Sequence, residues 1–275
     1  MMDQWRFIND SPMHGGRNMA VDVAILESVA RGDAPPTVRC YGWQPNCLSL
    51  GYGQRAREAD PIALAQQSID LVRRPTGGRA VLHGDELTYS IALPARHPLA
   101  QGNVIESYRR ISTGLLRALH IIGIAVQARP QTPKEDTTPQ PIAPICFEAV
   151  SDYEITVSGR KLIGSAQMRR QGAILQHGSL PLNGDLSQIC DLLKYDDETE
   201  RALARDKLAQ HALTLAQAFN GRLPSRDSLI NAFLAGFEEA FTIHLVHGTI
   251  TLAETTQARY LEKNVYGNEN WTFRR

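Results

Sequence analysis

Between Thr37 and Leu182 the chain breaks into short runs of strand character, and this limits the fold more than any other feature. Thr37–Tyr41 and Leu48–Leu50 flank a turn at Pro45-Asn46; Leu71-Val72, Ala80–Leu82 and Leu87–Leu93 follow, joined by glycine-rich turns. Tyr153–Val157 and Arg160–Ala166 read as a hairpin about Ser158-Gly159, and a further strand or two runs to Leu182, punctuated by Gly172 and Gly178. One helix precedes the series and two interrupt it. The first covers residues 19–30, with Asn18 placed to cap it and Gly32 to stop it. A short one opens at Asp60-Pro61, an N-cap followed by proline at the first helical position. The clearest is 103–122, where Val104, Tyr108, Ile111, Leu115, Leu119 and Ile122 form one apolar stripe. Past Leu186 the pattern turns helical over 198–219, 225–241 and 251–264. The expected fold class is α+β: a mixed β-sheet core with flanking helices over 1–185, and a helical C-terminal part, 186–275, packed on the same domain.

Composition removes several functions. Lys plus Arg number 29 and Asp plus Glu number 29, so no bulk positive charge is available to hold a nucleic acid or a polybasic membrane anchor. No apolar run is long enough to cross a bilayer, and the first residues, Met-Met-Asp-Gln-Trp-Arg, lack a signal-peptide core. The expected setting is the cytoplasm, with reduced thiols, no nucleic-acid partner and no membrane partner.

Under those conditions each of the four cysteines is either packing or reactive. Cys40, Cys47 and Cys190 stand in or beside apolar runs and read as packing; no pair has metal-ligand spacing, so no metal site is expected. Cys146 differs. Residues 129–144 hold five prolines and no apolar period, and Cys146 closes that irregular excursion in Pro144-Ile145-Cys146-Phe147-Glu148. A thiol on such a loop is either a nucleophile or incidental. As a nucleophile it needs a nearby cation to favour thiolate, and Lys161, just after the Ser158-Gly159 turn, is the candidate, set against a solvated strand-end lysine.

Gly51-Tyr52-Gly53-Gln54-Arg55-Ala56 matches a loose dinucleotide-binding pattern, but the next helix cap, Asp60-Pro61, comes too late to aim amides at a pyrophosphate. The densest stretch is Arg73-Arg74-Pro75-Thr76-Gly77-Gly78-Arg79-Ala80-Val81-Leu82-His83. A Gly-Gly turn admits close approach of a ligand to the backbone, and the arginines beside it could hold a carboxylate or phosphate. The alternative is a glycine hairpin with solvated arginines.

This stretch, followed by Glu86-Leu87-Thr88-Tyr89-Ser90, resembles the signature of the biotin/lipoate protein ligase superfamily. The resemblance extends to Gly159–Gln167, to Gly172–Leu180 and to Asn18-Met19-Ala20-Val21-Asp22 in the first helix. Arg79 and the His83-Gly84 pair differ from the ATP-dependent lipoate ligases and are similar to the octanoyltransferase branch of the LipM type, in which a loop cysteine precedes the Gly-Arg-Lys hairpin. That cysteine maps onto Cys146.

The resemblance implies an enzyme needing no cofactor. Octanoyl passes from octanoyl-acyl carrier protein to the Cys146 thiolate, then to a lysine of a lipoyl-domain protein such as the glycine-cleavage H protein. Lys161 would hold the acyl oxygen, favour the thiolate and help deprotonate the incoming amine, and the last role requires its neutral form. Arg74, Thr76, Gly77, Gly78, Arg79, Ala80, Val81, His83, Gly164, Ser165, Ala166, His177 and Gly178 would bind the substrate, with His83 in the pocket wall and the Gly77-Gly78 amides at the oxyanion. Val81, Leu82 and Ile163 are expected along the octyl channel, where burial of the tail contributes up to about 5 kcal/mol at ~0.8 kcal/mol per methylene. The rival implications are an ATP-dependent lipoate ligase, an octanoyl amidotransferase acting between lipoyl domains, and a carrier-binding protein without catalysis.

Overall fold

The structure is a computed structural model that describes residues 2–130, Ile145 and 153–275. Its elements in chain order are β1 (Asp3–Asn9), α1 (Gly15–Arg31), β2 (Thr37–Tyr41), β3 (Cys47–Leu50), α2 (Pro61–Gln66), β4 (Asp70–Arg73), β5 (Val81–His83), β6 (Glu86–Pro94), α3 (Val104–Ile121), β7 (Gln127–Pro130), β8 (Tyr153–Val157), β9 (Arg160–Arg170), β10 (Ala173–Pro181), α4 (Glu198–His211), α5 (Leu215–Ala218), α6 (Arg226–Phe241), β11 (Ile243–His247), α7 (Leu252–Leu261) and α8 (Glu269–Thr272). The α+β expectation holds. An eight-stranded mixed sheet runs β11-β1-β2-β6-β10-β9-β8-β7, and a three-stranded sheet runs β4-β3-β5.

Strand alternation puts helices on both faces of the large sheet. Trp5 and Phe7 on β1, Tyr89 and Ile91 on β6 and Ile174 on β10 join Ile111 and Leu115 of α3 and Phe233 and Phe237 of α6 in one core. Ile8 and Ala92 turn the other way, onto Met19, Val23 and Ile25 of α1 and Ala258 of α7. α3 and α6 approach closely because each offers a glycine: a Cβ on Gly236 would lie 2.5 Å from the Ala118 backbone nitrogen, and one on Gly114 would enter the Phe237 ring. A third core joins the small sheet to α4 through Leu48, Leu50, Val81, Ile189 and Leu208.

Several local expectations change in register or extent. The first helix starts at Gly15 with His14 as its N-cap, not at Asn18; Asn18 is buried inside it, donating to the Met13 and Gly42 carbonyls at 3.1 and 2.9 Å. Val104, placed in the buried stripe of the third helix, is exposed, while Ile111, Leu115 and Leu119 are fully buried. The run 198–219 is two helices parted at Ala212-Leu213, and the last runs into one π turn at Glu262–Tyr266. Arg129 and Pro130 belong to β7; residues 131–144 of the expected excursion lie outside the described residues. Two paired strands lie outside the expected series, β1 and β11. The helical C-terminal part also supplies β11, which pairs in parallel with β1 from Asp3↔Ile243 to Phe7↔His247.

Candidate active site

One cleft sits where the small sheet meets the centre of the large one. It is lined by β3 through Ser49, β5 through Val81 and His83, β9 through Gly164–Ala166 and β10 through His177–Ser179, with Met19, Tyr41, Trp43, Arg74 and Thr88 completing the wall. With its mouth it encloses about 410 Å³ of unfilled space. Val81 lines it as expected, but Leu82 and Ile163 do not: Leu82 packs on the third core and Ile163 is fully buried in the first. Strand alternation is the reason, since Val81 and His83 share a face that Leu82 cannot.

The glycine turn is held from beneath by Arg74. Arg74 donates to the Ser49, Gly77 and Arg79 carbonyls at 2.9, 2.9 and 2.6 Å, and also to Ser49 Oγ. Arg73 is fully buried and donates to the carbonyls of Thr272, Gly51 and Gln54. The expected anion-binding role therefore does not fit these two guanidiniums, whose donors are turned onto the backbone. Gly77 and Gly78 are exposed at the crest, Gly78 at φ +91°, a left-handed conformation that favours glycine. Gly51 of the rejected dinucleotide pattern has a packing role, since a Cβ there would collide with the Gly78 carbonyl.

Two carboxylate–imidazole–hydroxyl chains flank the cleft. In the first, Asp22 Oδ2 lies 3.3 Å from His177 Nδ1, and His177 Nε2 lies 2.7 Å from Thr76 Oγ1. Asp22 also accepts from Arg39 at 2.7 Å, Tyr41 at 2.9 Å and Ser90 at 2.8 Å. Burial pushes the Asp22 carboxyl up, but Arg39 and His177 more than offset it and hold the group below its usual value. Burial lowers His177, and Asp22 only partly restores it. In the second chain Glu86 Oε1 accepts from His83 Nδ1 at 2.9 Å, and His83 Nε2 lies 2.8 Å from Ser49 Oγ. Trp43 stacks on the His83 ring at 3.9 Å. Burial raises Glu86, and His83 and Thr88 outweigh burial, leaving the carboxyl below its usual value.

On the far wall Gly178 lets β10 close on its neighbours: a Cβ there would lie 2.6 Å from the Tyr89 ring and 2.7 Å from the Gly164 carbonyl. Ser165 Oγ is 2.8 Å from Tyr89 Oη, and Ala166 continues the wall. Lys161 lies three residues before Gly164 on β9, buried, its Nζ 2.7 Å from Glu154 Oε1 on β8. Cys146 lies outside the described residues. Its predecessor Ile145 is fully buried and bridges in parallel to Ala80, at the end of the glycine turn. Cys40, Cys47 and Cys190 are buried, and burial pushes the Cys40 thiol up to about 12 and Cys47 well above its usual value. They are packing residues, as their apolar surroundings in sequence imply.

Sequence reading missed Met19, Tyr41, Trp43, Ser49, Thr88 and Ser179 as lining residues. Asp22 and Glu86 fell within quoted motifs without a role. The available signal was an acid or hydroxyl inside otherwise apolar runs, which a buried network requires.

Fold and cleft together define a lipoate-protein-ligase type of catalytic domain. The fold matches a bipartite lipoate protein ligase of the lipoylation system of Thermoplasma acidophilum at a TM-score of 0.81 and 27% identity, covering 99% of this chain and 97% of that one. It also matches lipoate-protein ligase A bound with ATP at a TM-score of 0.78 and 25% identity, over 98% of both chains. The protein belongs to the family of the lipoyl protein ligase A/B catalytic domain, whose model matches residues 14–238. Among curated relatives it is similar to Octanoyltransferase LipM of Anoxybacillus flavithermus, 41% identical over 98% of both chains, and to that of Halalkalibacterium halodurans, 39% identical over the full length of each.

Proposed function

We propose that the protein is an octanoyltransferase of lipoate biosynthesis, working in the cytoplasm through a cysteine thioester. About 40% identity along the whole length to proteins of that name carries the reading. Two features support it. Val81, Met19 and Trp43 give the cleft apolar wall for an acyl tail. Arg73 and Arg74, two of the three arginines about the glycine turn, are engaged with carbonyls rather than presented to phosphates, which suits a reaction without ATP.

In this reading the donor is octanoyl-acyl carrier protein, and the Cys146 thiolate takes the acyl group. Exchange of one thioester for another is nearly isoenergetic, so no cofactor is needed. The lysine of a lipoyl-domain protein, the glycine-cleavage H protein by family analogy, then attacks to form the amide. Gly77 and Gly78 amides stabilise the tetrahedral oxyanion, and Lys161 orients the acyl carbonyl. The bridge between Ala80, which follows the glycine turn, and Ile145, the residue before Cys146 in sequence, supports this reading. Residues 1–185 carry the chemistry and 186–275 are an extension packed on the same domain.

The test is intact mass after mixing the protein with octanoyl-acyl carrier protein in the absence of ATP. A single octanoyl adduct removed by hydroxylamine, and missing in Cys146→Ala, is the expected result. Acyl transfer that instead requires ATP and free acid overturns the reading in favour of a ligase. Lys161→Ala is expected to lose transfer by at least about 100-fold, the scale of a removed oxyanion-stabilising donor. Because the change also removes the Glu154 ion pair, Lys161→Met with Glu154→Gln, which removes both charges, is the companion variant. Near-normal turnover in either variant excludes the role.

A further inference from the structure

Aminolysis of a thioester releases a proton from the attacking amine, and the cleft contains an array built to receive one. We propose that Ser49, His83 and Glu86 form a proton relay for the second half-reaction, taking the proton from the acceptor lysine as it attacks the acyl-enzyme; this rests on the octanoyltransferase reading above.

Geometry fixes the direction of the relay. One oxygen of Glu86, Oε1, accepts from His83 Nδ1 at 2.9 Å, from Trp43 Nε1 at 3.0 Å and from the Thr88 hydroxyl. A carboxylate can only accept, so Nδ1 carries the imidazole proton, and in the neutral ring Nε2 is left as an acceptor. That nitrogen faces Ser49 Oγ at 2.8 Å. Ser49 in turn accepts from Arg74 Nη1 at 3.1 Å, which directs its own hydrogen to His83. Trp43, stacked 3.9 Å away at 12°, prevents the ring from turning. Ser49 and His83 both border the cleft, Ser49 fully buried and His83 nearly so, and Glu86 behind them is almost completely buried. A hydroxyl, an imidazole in one tautomer and an orienting carboxylate are the parts of a general-base triad. A packing role alone leaves unexplained why three donors converge on one carboxylate oxygen behind a cleft.

The step balances as follows. The lysine enters as a free amine, its ammonium proton lost to water, and its nitrogen bonds to the thioester carbonyl carbon. The nitrogen's proton passes to Ser49 Oγ while the Ser49 hydrogen moves to His83 Nε2, giving an imidazolium beside Glu86. The tetrahedral intermediate expels the Cys146 sulfur, and the imidazolium's proton is given up as that thiolate becomes a thiol. The products are an amide and a thiol.

The two half-reactions can be timed separately by quenched-flow mass measurement on the full-length protein: acylation from octanoyl-acyl carrier protein, and transfer from the isolated acyl-enzyme to a lipoyl domain. Ser49→Ala, His83→Gln and Glu86→Gln are the variants, Ser49→Ala being the smallest change. Transfer is expected to fall about 100-fold, the usual scale of general-base catalysis, and at least 10-fold more than acylation in the same variant. Equal losses in both half-reactions, or transfer within threefold of the parent in Ser49→Ala, overturn the relay. Failure of the parent protein to form any acyl-enzyme overturns the octanoyltransferase reading itself, and the relay with it.

Discussion

Asp22 shows how much a single buried residue can fix. It is fully buried on α1, yet its two oxygens serve Arg39, Tyr41, Ser90 and His177, which lie on β2, β6 and β10. Asp22→Ala leaves the fully buried Arg39 with its hydrogen bonds to Asp10 and Asn18 and its place over the Tyr41 ring, and breaking a buried ion pair from one side costs about 3–5 kcal/mol. Urea unfolding is expected to show a loss of that size. The same network sets an acid sensitivity. His177 is held below its reference value of 6.5, so the unfolded chain binds the proton more readily; the stability this confers is complete above that pH and is lost as pH falls below it. Asp22 and Glu86 are held below 3.8 and 4.5, so their contribution is complete above those values and disappears only under stronger acid. Melting temperature is thus expected to fall in two stages from pH 8 to pH 3. His177→Gln should flatten the upper stage, leaving the share due to His97, which burial also lowers.

At the scale of elements, the α3–α6 pair and β11 join the C-terminal segment to the sheet. Gly236→Ala places a methyl against the Ala118 backbone, which cannot move aside as a side chain could, so α6 must lift away. Overpacking of this kind costs about 1–3 kcal/mol. Phe237→Ala, which empties a fully buried position on the same face, costs about 3–5 kcal/mol. Chemical denaturation of the two variants measures both. A fragment ending at residue 185 strips β11 from β1 and uncovers the apolar residues of α3 and β6. It is expected to be insoluble or molten, with weak near-ultraviolet circular dichroism, whereas a soluble, cooperatively melting fragment would make 186–275 a separable appendage.

Over the whole molecule, the chain alone determined whatever depends on neighbours within a few residues. Turn chemistry at Gly77-Gly78 and Ser158-Gly159, the cap at Asp60 with proline after it, and the period of residues 103–122 all reappear, because caps, turns and apolar periods are satisfied locally. Motif resemblance added the family and drew attention to Thr76, His83, Gly164 and His177, all of which the fold brings to the cleft or its rim. Tertiary structure alone decided the rest. β11 has a five-residue pattern with no distinctive period, and it becomes a strand because β1, some 240 residues earlier, offers it an edge. Arg73 and Arg74 read as ligand-binding cations until burial showed their donors on carbonyls, some nearly 200 residues away in sequence. Asp22 meets His177 across 155 residues and Ser49 meets His83 across 34. Such pairings follow from which faces the sheet and helices bury together, a sum of many long-range packing contributions that no local window of sequence contains.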